Sequence, residues 1–181
     1  MQTLENRELL GLWMEEKGLK TAAEIGVQQG VYSRTLLSKW SGHLTMVDAW
    51  CHFDSGYIDV ANVSDEEHNK FKLSAEDAVK EFKNRYSIIQ GISPSIASSF
   101  QDQSFDLIYL DANHSKAGCL ADIQAWTPKV KKNGGVICGH DYIDETNCFG
   151  EFGVKSAVFE YFNREPDMIT LEGFPSWFMF L

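Results

Sequence analysis

Phe105-Asp106-Leu107-Ile108-Tyr109-Leu110-Asp111-Ala112-Asn113-His114 joins an apolar run to two groups that can do chemistry, Asp111 and His114. Residues 107 to 110 lack polar alternation, which predicts a strand buried on both faces, as in a parallel sheet covered by helices. Open α/β sheets bind ligands at the carboxyl ends of such strands, where Asp111 falls. The competing use of Asp111, and of His114, is to cap the helix that follows.

Upstream, Ala22 to Gly26 reads as a short strand, Val31 to Trp40 as a helix ending at Gly42, and Leu44 to Val47 as a second buried strand closed by Asp48. Strand, helix and strand fit within about 30 residues, the length of a βαβ unit. Before them, Leu4, Leu9, Leu10, Leu12, Trp13 and Met14 recur near helical spacing and predict a helix over about 3 to 17 within an N-terminal segment 1 to 18. Residues 49 to 65 keep neither period and read as a loop. The spacing next predicts a helix over 65 to 85 with Phe71, Leu73, Ala78, Val79 and Phe82 as its apolar stripe, then a third strand over Tyr86 to Gln90. Ser93-Pro94 begins a short helix at most.

Downstream, Ser115 to Val130 reads as a helix interrupted late by Pro128, with Cys119, Leu120, Ile123 and Trp126 on its inner side. Gly134-Gly135 turns the chain into a fifth strand, Val136-Ile137-Cys138, which ends at Gly139-His140-Asp141. A helix over 154 to 163 and two strands near 168 to 172 and 176 to 181 complete the pattern, the strands forming a hairpin around Gly173-Phe174-Pro175. The alternation predicts an α/β chain: a doubly wound, mostly parallel seven-stranded sheet, helices on both faces, and an antiparallel C-terminal hairpin.

With 181 residues and 44% hydrophobic content, residues 1 to 181 are expected to form a single domain. A net charge of -10, from 16 Lys+Arg against 26 Asp+Glu, argues against a nucleic-acid partner, which needs a basic face. No cationic start followed by an apolar core marks a secretory signal, and no run nears the roughly 20 apolar residues of a membrane span. Cys51, Cys119, Cys138 and Cys148 form no Cys-x-x-Cys pair, so reduced thiols and a cytoplasmic location are expected.

Glu24-Ile25-Gly26-Val27-Gln28-Gln29-Gly30 is a glycine turn between the first strand and its helix, and Asp48 closes the second strand, where an acid commonly accepts hydrogen bonds from ribose hydroxyls. Together they point to an adenosine-containing cofactor. The pattern departs from Gly-x-Gly-x-x-Gly, and Glu24 would repel a phosphate.

Four segments in order, Glu24-x-Gly26-x-x-x-Gly30, Val47-Asp48, residues 105 to 111 and Gly134-Gly135-Val136-Ile137, resemble class I S-adenosylmethionine-dependent methyltransferases of Rossmann-like fold. Asp111-Ala112-Asn113-His114 and Gly139-His140-Asp141-Tyr142 are similar to a small-molecule O-methyltransferase subgroup. The resemblance spans about residues 20 to 164. It implies methyl transfer from S-adenosylmethionine to an oxygen of a small-molecule acceptor. Glu24, Gly26 and Gly30 would hold the methionine part, Asp48 the ribose, and Ile92 and Ser93 the adenine, with Asp111 also facing the cofactor. Trp50 would either cover the cofactor or anchor the loop.

For the chemistry, the resemblance leaves two routes open. Asp111, His140 and Asp141 could hold a divalent metal, magnesium or a softer ion, that lowers the acceptor pKa. Without metal, His114 or His140 would be the general base, so Asp111, His114 and His140 are the catalytic candidates. His43, His52 and His68 are expected at solvent-facing or loop positions. Residues 49 to 65 and 142 to 153 are expected to frame an acceptor, a small polyhydroxylated molecule by their aromatic and acidic mixture. A homodimer is compatible with this reading. A non-catalytic S-adenosylmethionine-binding domain is the alternative, followed by a nucleotide-linked oxidoreductase, which the missing pyrophosphate motif disfavours.

Overall fold

In the computed structural model, residues 4 to 54 and 57 to 181 are described. The expected start of the first helix near residue 3, and residues 55 and 56 of the expected loop, lie outside them. Strands β1 (Thr21–Ile25), β2 (His43–Asp48), β3 (Tyr86–Gln90), β4 (Leu107–Leu110) and β5 (Val136–Gly139) are parallel. β6 (Asp144–Asn147) and β7 (Gly150–Gly153) form a separate antiparallel ribbon. β8 (Met168–Ile169) and β9 (Trp177–Phe180) add the predicted hairpin, giving a seven-stranded sheet in the order β3-β2-β1-β4-β5-β9-β8. This is the Rossmann-like arrangement expected.

Why β4 is central is visible in its alternation. Leu107 and Tyr109 enter one apolar layer, Ile108 and Leu110 the other, so neither face could carry a polar residue cheaply. The first layer packs α1 (Leu10–Glu16), α2 (Val31–Lys39) and α3 (Asp65–Val79) through residues such as Met14, Leu37 and Val79. The second packs α4 (Ser93–Ala97), α5 (Lys116–Trp126) and α6 (Val154–Phe162) through Ala97, Ile123, Trp126 and Val158. Chain order reverses between β1 and β4, so a crevice opens above their carboxyl ends. In register, Ile25 lies beside Val47 and Leu110, and Leu110 beside Gly139. Gly26, Asp48, Asp111 and His140 therefore line one edge.

Three expectations change. The N-terminal helix is shorter than 3 to 17: Asn6 accepts from the Glu8 amide, caps a 3₁₀ turn at Arg7–Leu9, and only then does α1 begin. The helix expected over 65 to 85 ends at Val79 and tightens into a 3₁₀ turn at Lys80–Phe82. Its inner face runs through His68, Phe71, Ala75 and Val79, while Leu73, two residues from Phe71 and so on the opposite side, is 65% exposed. His68 is buried, not solvent-facing. Among the described residues no helix is long and apolar enough to cross a membrane.

Candidate active site

The glycine turn is built by close approach. Gly26 has φ +92°, and a Cβ there would sit 2.0 Å from the Asp111 carbonyl oxygen. Only a glycine lets the ends of β1 and β4 meet at this spacing. Gly30, at φ +74°, starts α2; its missing Cβ makes room for Ala75 of α3, whose Cα lies 2.8 Å from the Cβ position. Gly30 thus seats a helix and is not part of the cleft wall.

Asp48 ties this turn to β2. Its Oδ2 accepts the Val27 and Gln28 amides, both at 2.8 Å, and its Oδ1 accepts the Trp50 amide at 2.8 Å. Trp50 is buried and donates its indole N–H to the Gln28 carbonyl at 2.8 Å, so it anchors the loop and does not cover the cleft. Glu24 is fully buried beside the Ser33 hydroxyl, which donates to it, and burial pushes its carboxyl up to about 8.

These groups wall a cleft of about 520 Å³. Arg7, Glu24, Gly26 and Tyr32 contribute to it, as do Asp48 and Asp111; Ile92 and Ser93 also line it, as expected, with Asp122. Phe53, Tyr57 and Asn62 of the loop, together with His68, belong to the same wall.

Beside the cleft lies a knot of acids and imidazoles. His114 Nδ1 is 2.8 Å from Asp59 Oδ2; its Nε2 is 3.0 Å from Asp141 Oδ2 and 3.3 Å from Asp111 Oδ1. Burial alone would lower the His114 pKa, but the hydrogen bonds its ring donates to these carboxylates outweigh it and raise the pKa well above the usual imidazole value. For Asp141, burial acts upward, and the two imidazoles of His114 and His140 carry the pKa well below the usual range. His140 Nδ1 lies 3.1 Å from Asp141 and 3.9 Å from Asp111. Asp141 adopts φ +52° where the chain leaves β5, a conformation Asp tolerates better than most residues. Ser115, not Asp111 or His114, caps α5 by accepting the Gly118 amide.

Among the described residues, one set of donors lies close enough to hold a metal: single ligand atoms of Asp111, His114 and Asp141 fall within 4.8 Å of one another. Two of the three expected ligands are in it, with His114 in the place expected for His140.

Four site residues escaped the sequence reading. Arg7 reaches in from the N-terminal turn, donates to Asp111 Oδ2 at 3.0 Å and lies over the Tyr32 ring at 4.8 Å. Tyr57 and Asp59 come from the aperiodic loop, and Asp122 from the buried face of α5. The acidic residue at an otherwise apolar helix face was the only available signal, and it pointed to Asp122.

The arrangement defines a ligand cleft at the switch point of a doubly wound sheet, with an acid and imidazole cluster at the next strand ends. Residues 23–142, well over half of the chain, match the family model described as a methyltransferase domain, and the chain belongs to that family. A comparison with curated proteins gives no match. Among solved structures, the O-methyltransferase from Bacillus cereus, in complex with S-adenosylhomocysteine, is 18% identical with TM-score 0.63, covering 95% of this chain and 78% of its own. TomG from Streptomyces achromogenes, an O-methyltransferase of tomaymycin synthesis in complex with S-adenosylmethionine, is 15% identical with TM-score 0.64, covering 96% and 78%. A Staphylococcus aureus protein assigned as a candidate caffeoyl-CoA O-methyltransferase is 17% identical with TM-score 0.56; the match takes in 78% of this chain but 59% of that one.

Proposed function

We propose that the chain transfers the methyl group of S-adenosylmethionine to an oxygen of a small molecule. The observation that carries this is the adjacency of the cleft to the Asp111, His114 and Asp141 cluster, with Asp111 belonging to both. The sulfonium is already activated, so the protein's work is to hold the acceptor in line and remove its proton. Arg7 suits the cofactor's carboxylate and Glu24 its ammonium, while Asp48 shapes the turn and adds charge beside the ribose.

Both ring nitrogens of His114 already face carboxylates; at His140 the carboxylates face Nδ1 alone. His140 is therefore assigned as the base that takes the acceptor proton, and His114 as the clamp that orients Asp111 and Asp141. The same Asp111, His114 and Asp141 fit a divalent cation: one nitrogen and two oxygens suit manganese or iron better than magnesium, which prefers oxygen alone. Such an ion, when bound, would polarise the acceptor hydroxyl and lower its pKa.

Residues 57 to 63 and the β6–β7 ribbon frame the acceptor. They meet at an Asp59–Gly150 bridge, and Phe152 stacks on His114 with centroids 5.2 Å apart. The single domain, a reducing compartment favoured by four unpaired thiols, and a net charge of -10 that disfavours nucleic acid complete the reading. The test is calorimetry with S-adenosylmethionine and S-adenosylhomocysteine, followed by turnover on sugars, phenols and hydroxy acids with and without divalent metals. Micromolar cofactor binding and methylation of a hydroxyl acceptor are expected; binding of neither cofactor form rejects the proposal.

A further inference from the structure

Asp59 is not among the three residues whose ligand atoms converge, yet the one nitrogen ligand of that set rests on it. His114 presents Nε2 to Asp111 and Asp141 and turns Nδ1 the other way, to Asp59 Oδ2 at 2.8 Å. An imidazole binds an ion through a nitrogen with a free lone pair, so the proton it keeps sits on the other nitrogen. For His114 that proton is on Nδ1, and the side chain is mostly buried. A buried N–H is costly without an acceptor, and Asp59 is the acceptor that faces it.

Asp59 is itself fixed. The Ala61 amide donates to its Oδ1 at 2.7 Å and the Tyr57 hydroxyl to its Oδ2 at 2.9 Å. Its backbone bridges to Gly150, and Phe152 of the same ribbon stacks on His114. The imidazole is thus held at one edge by Asp59 and on one face by Phe152. Both holds come from the two segments that frame the acceptor.

We propose that Asp59 is the positioning residue of the cation site: it keeps the His114 proton on Nδ1, aims Nε2 at the ion, and ties residues 57 to 63 to that ion. The inference rests on the reading that Asp111, His114 and Asp141 take a divalent cation. Nε2 gives its own proton to solvent when the ion binds, while the Nδ1 proton stays in the bond to Asp59. A carboxylate on the outer nitrogen also makes the ligating nitrogen a stronger donor, and its loss typically lowers metal affinity about 10-fold to 100-fold. Linkage makes the effect reciprocal, so the ion strengthens the bond that holds the loop.

The experiment is calorimetry of manganese(II) binding to the wild-type chain, Asp59→Asn, His114→Gln and the double variant. Asp59→Asn keeps the shape of the side chain but gives up its charge and one acceptor. It is expected to weaken manganese by about 10-fold to 100-fold in the wild-type background. Beside His114→Gln, where no imidazole remains to position, it is expected to change the affinity by no more than about twofold. A merely structural role weakens the ion alike in both backgrounds, and equal losses overturn the inference. So does an unchanged affinity in Asp59→Asn. The wild type supplies a test of its own if the variants fail to fold. Manganese is expected to slow hydrogen exchange at the Val60, Ala61 and Asn62 amides, which bond to Phe149 and to Asp59. Unchanged exchange there overturns the inference. Manganese binding by no form, the wild type included, rejects the cation reading itself, and the inference falls with it.

Discussion

His114 is held between two acids from opposite sides of the site, with Nδ1 2.8 Å from Asp59 in the loop after β2 and Nε2 3.0 Å from Asp141 after β5. The Asp59 side chain is 6% exposed and that of His114 16%, so solvent screens this pair little. Removing one partner leaves a buried charge, and Asp59→Ala is expected to destabilise the chain by about 3 to 5 kcal/mol. A double-mutant cycle with His114→Ala should return a coupling of about 1 to 3 kcal/mol in denaturant unfolding; additive effects would show that the two act independently.

Position 26, at the end of β1, should tolerate no side chain. Gly26→Ala sets a Cβ 2.0 Å from a backbone oxygen, whereas Gly134, at a similar φ of +82°, has nothing within 4 Å. Gly134→Ala is expected to cost only the left-handed strain of about 1 to 2 kcal/mol, and Gly26→Ala more than about 4 kcal/mol. Urea midpoints of the two variants give the comparison.

Asp48→Asn removes an acceptor from a carboxylate that holds three backbone amides. S-adenosylhomocysteine affinity should fall by about 1 to 3 kcal/mol. Calorimetry reads this directly, and an unchanged affinity would free Asp48 of any part in the cofactor site.

Glu24 gives the apo protein a pH signature. Burial pushes its carboxyl from the ordinary 4.5 up to about 8, so the neutral carboxyl is the form the fold prefers. Its stabilising contribution is complete below pH 4.5 and is lost as pH rises through 8, on the order of 3 to 5 kcal/mol across that window. Glu24→Gln should flatten this fall in unfolding free energy between pH 5 and about 8. An identical slope in the variant would count against it.

If Asp111, His114 and Asp141 hold a cation, chelation should lower turnover and manganese should restore it better than magnesium. Asp141→Ala should abolish both the restoration and manganese binding by calorimetry. Full activity after exhaustive chelation would leave His140 as sole carrier of the proton.

The parallel strands β1, β2, β4 and β5 were legible because they are short, mostly apolar runs buried along most of their length, and the half-buried edge strand β3 was placed by the turn at Gly91 and the helix before it. The strand-end motifs followed from them. The β6–β7 ribbon was not legible: Asp144, Glu145 and Thr146 are exposed and carry no alternation, so its pairing is set by backbone bonds and turn geometry. Arg7 and Asp59 were missed for another reason. Each acts through a partner 104 or 55 residues away, a distance over which no local period speaks. His68 was misread because a polar residue on an amphipathic helix suggests solvent, while its position three and seven residues before the inner face's Phe71 and Ala75 turns it inward.

The Asp59–Gly150 bridge, with the Val60 amide bonded to the Phe149 carbonyl at 3.0 Å, stitches together two surface segments far apart in the chain. Such segments are ordinarily the parts of a fold most open to independent exchange. Here neither can be grafted alone, because a new loop would have to bring an edge that pairs with the old ribbon. Retargeting this scaffold to another acceptor therefore means replacing residues 57 to 63 and 144 to 153 as one unit.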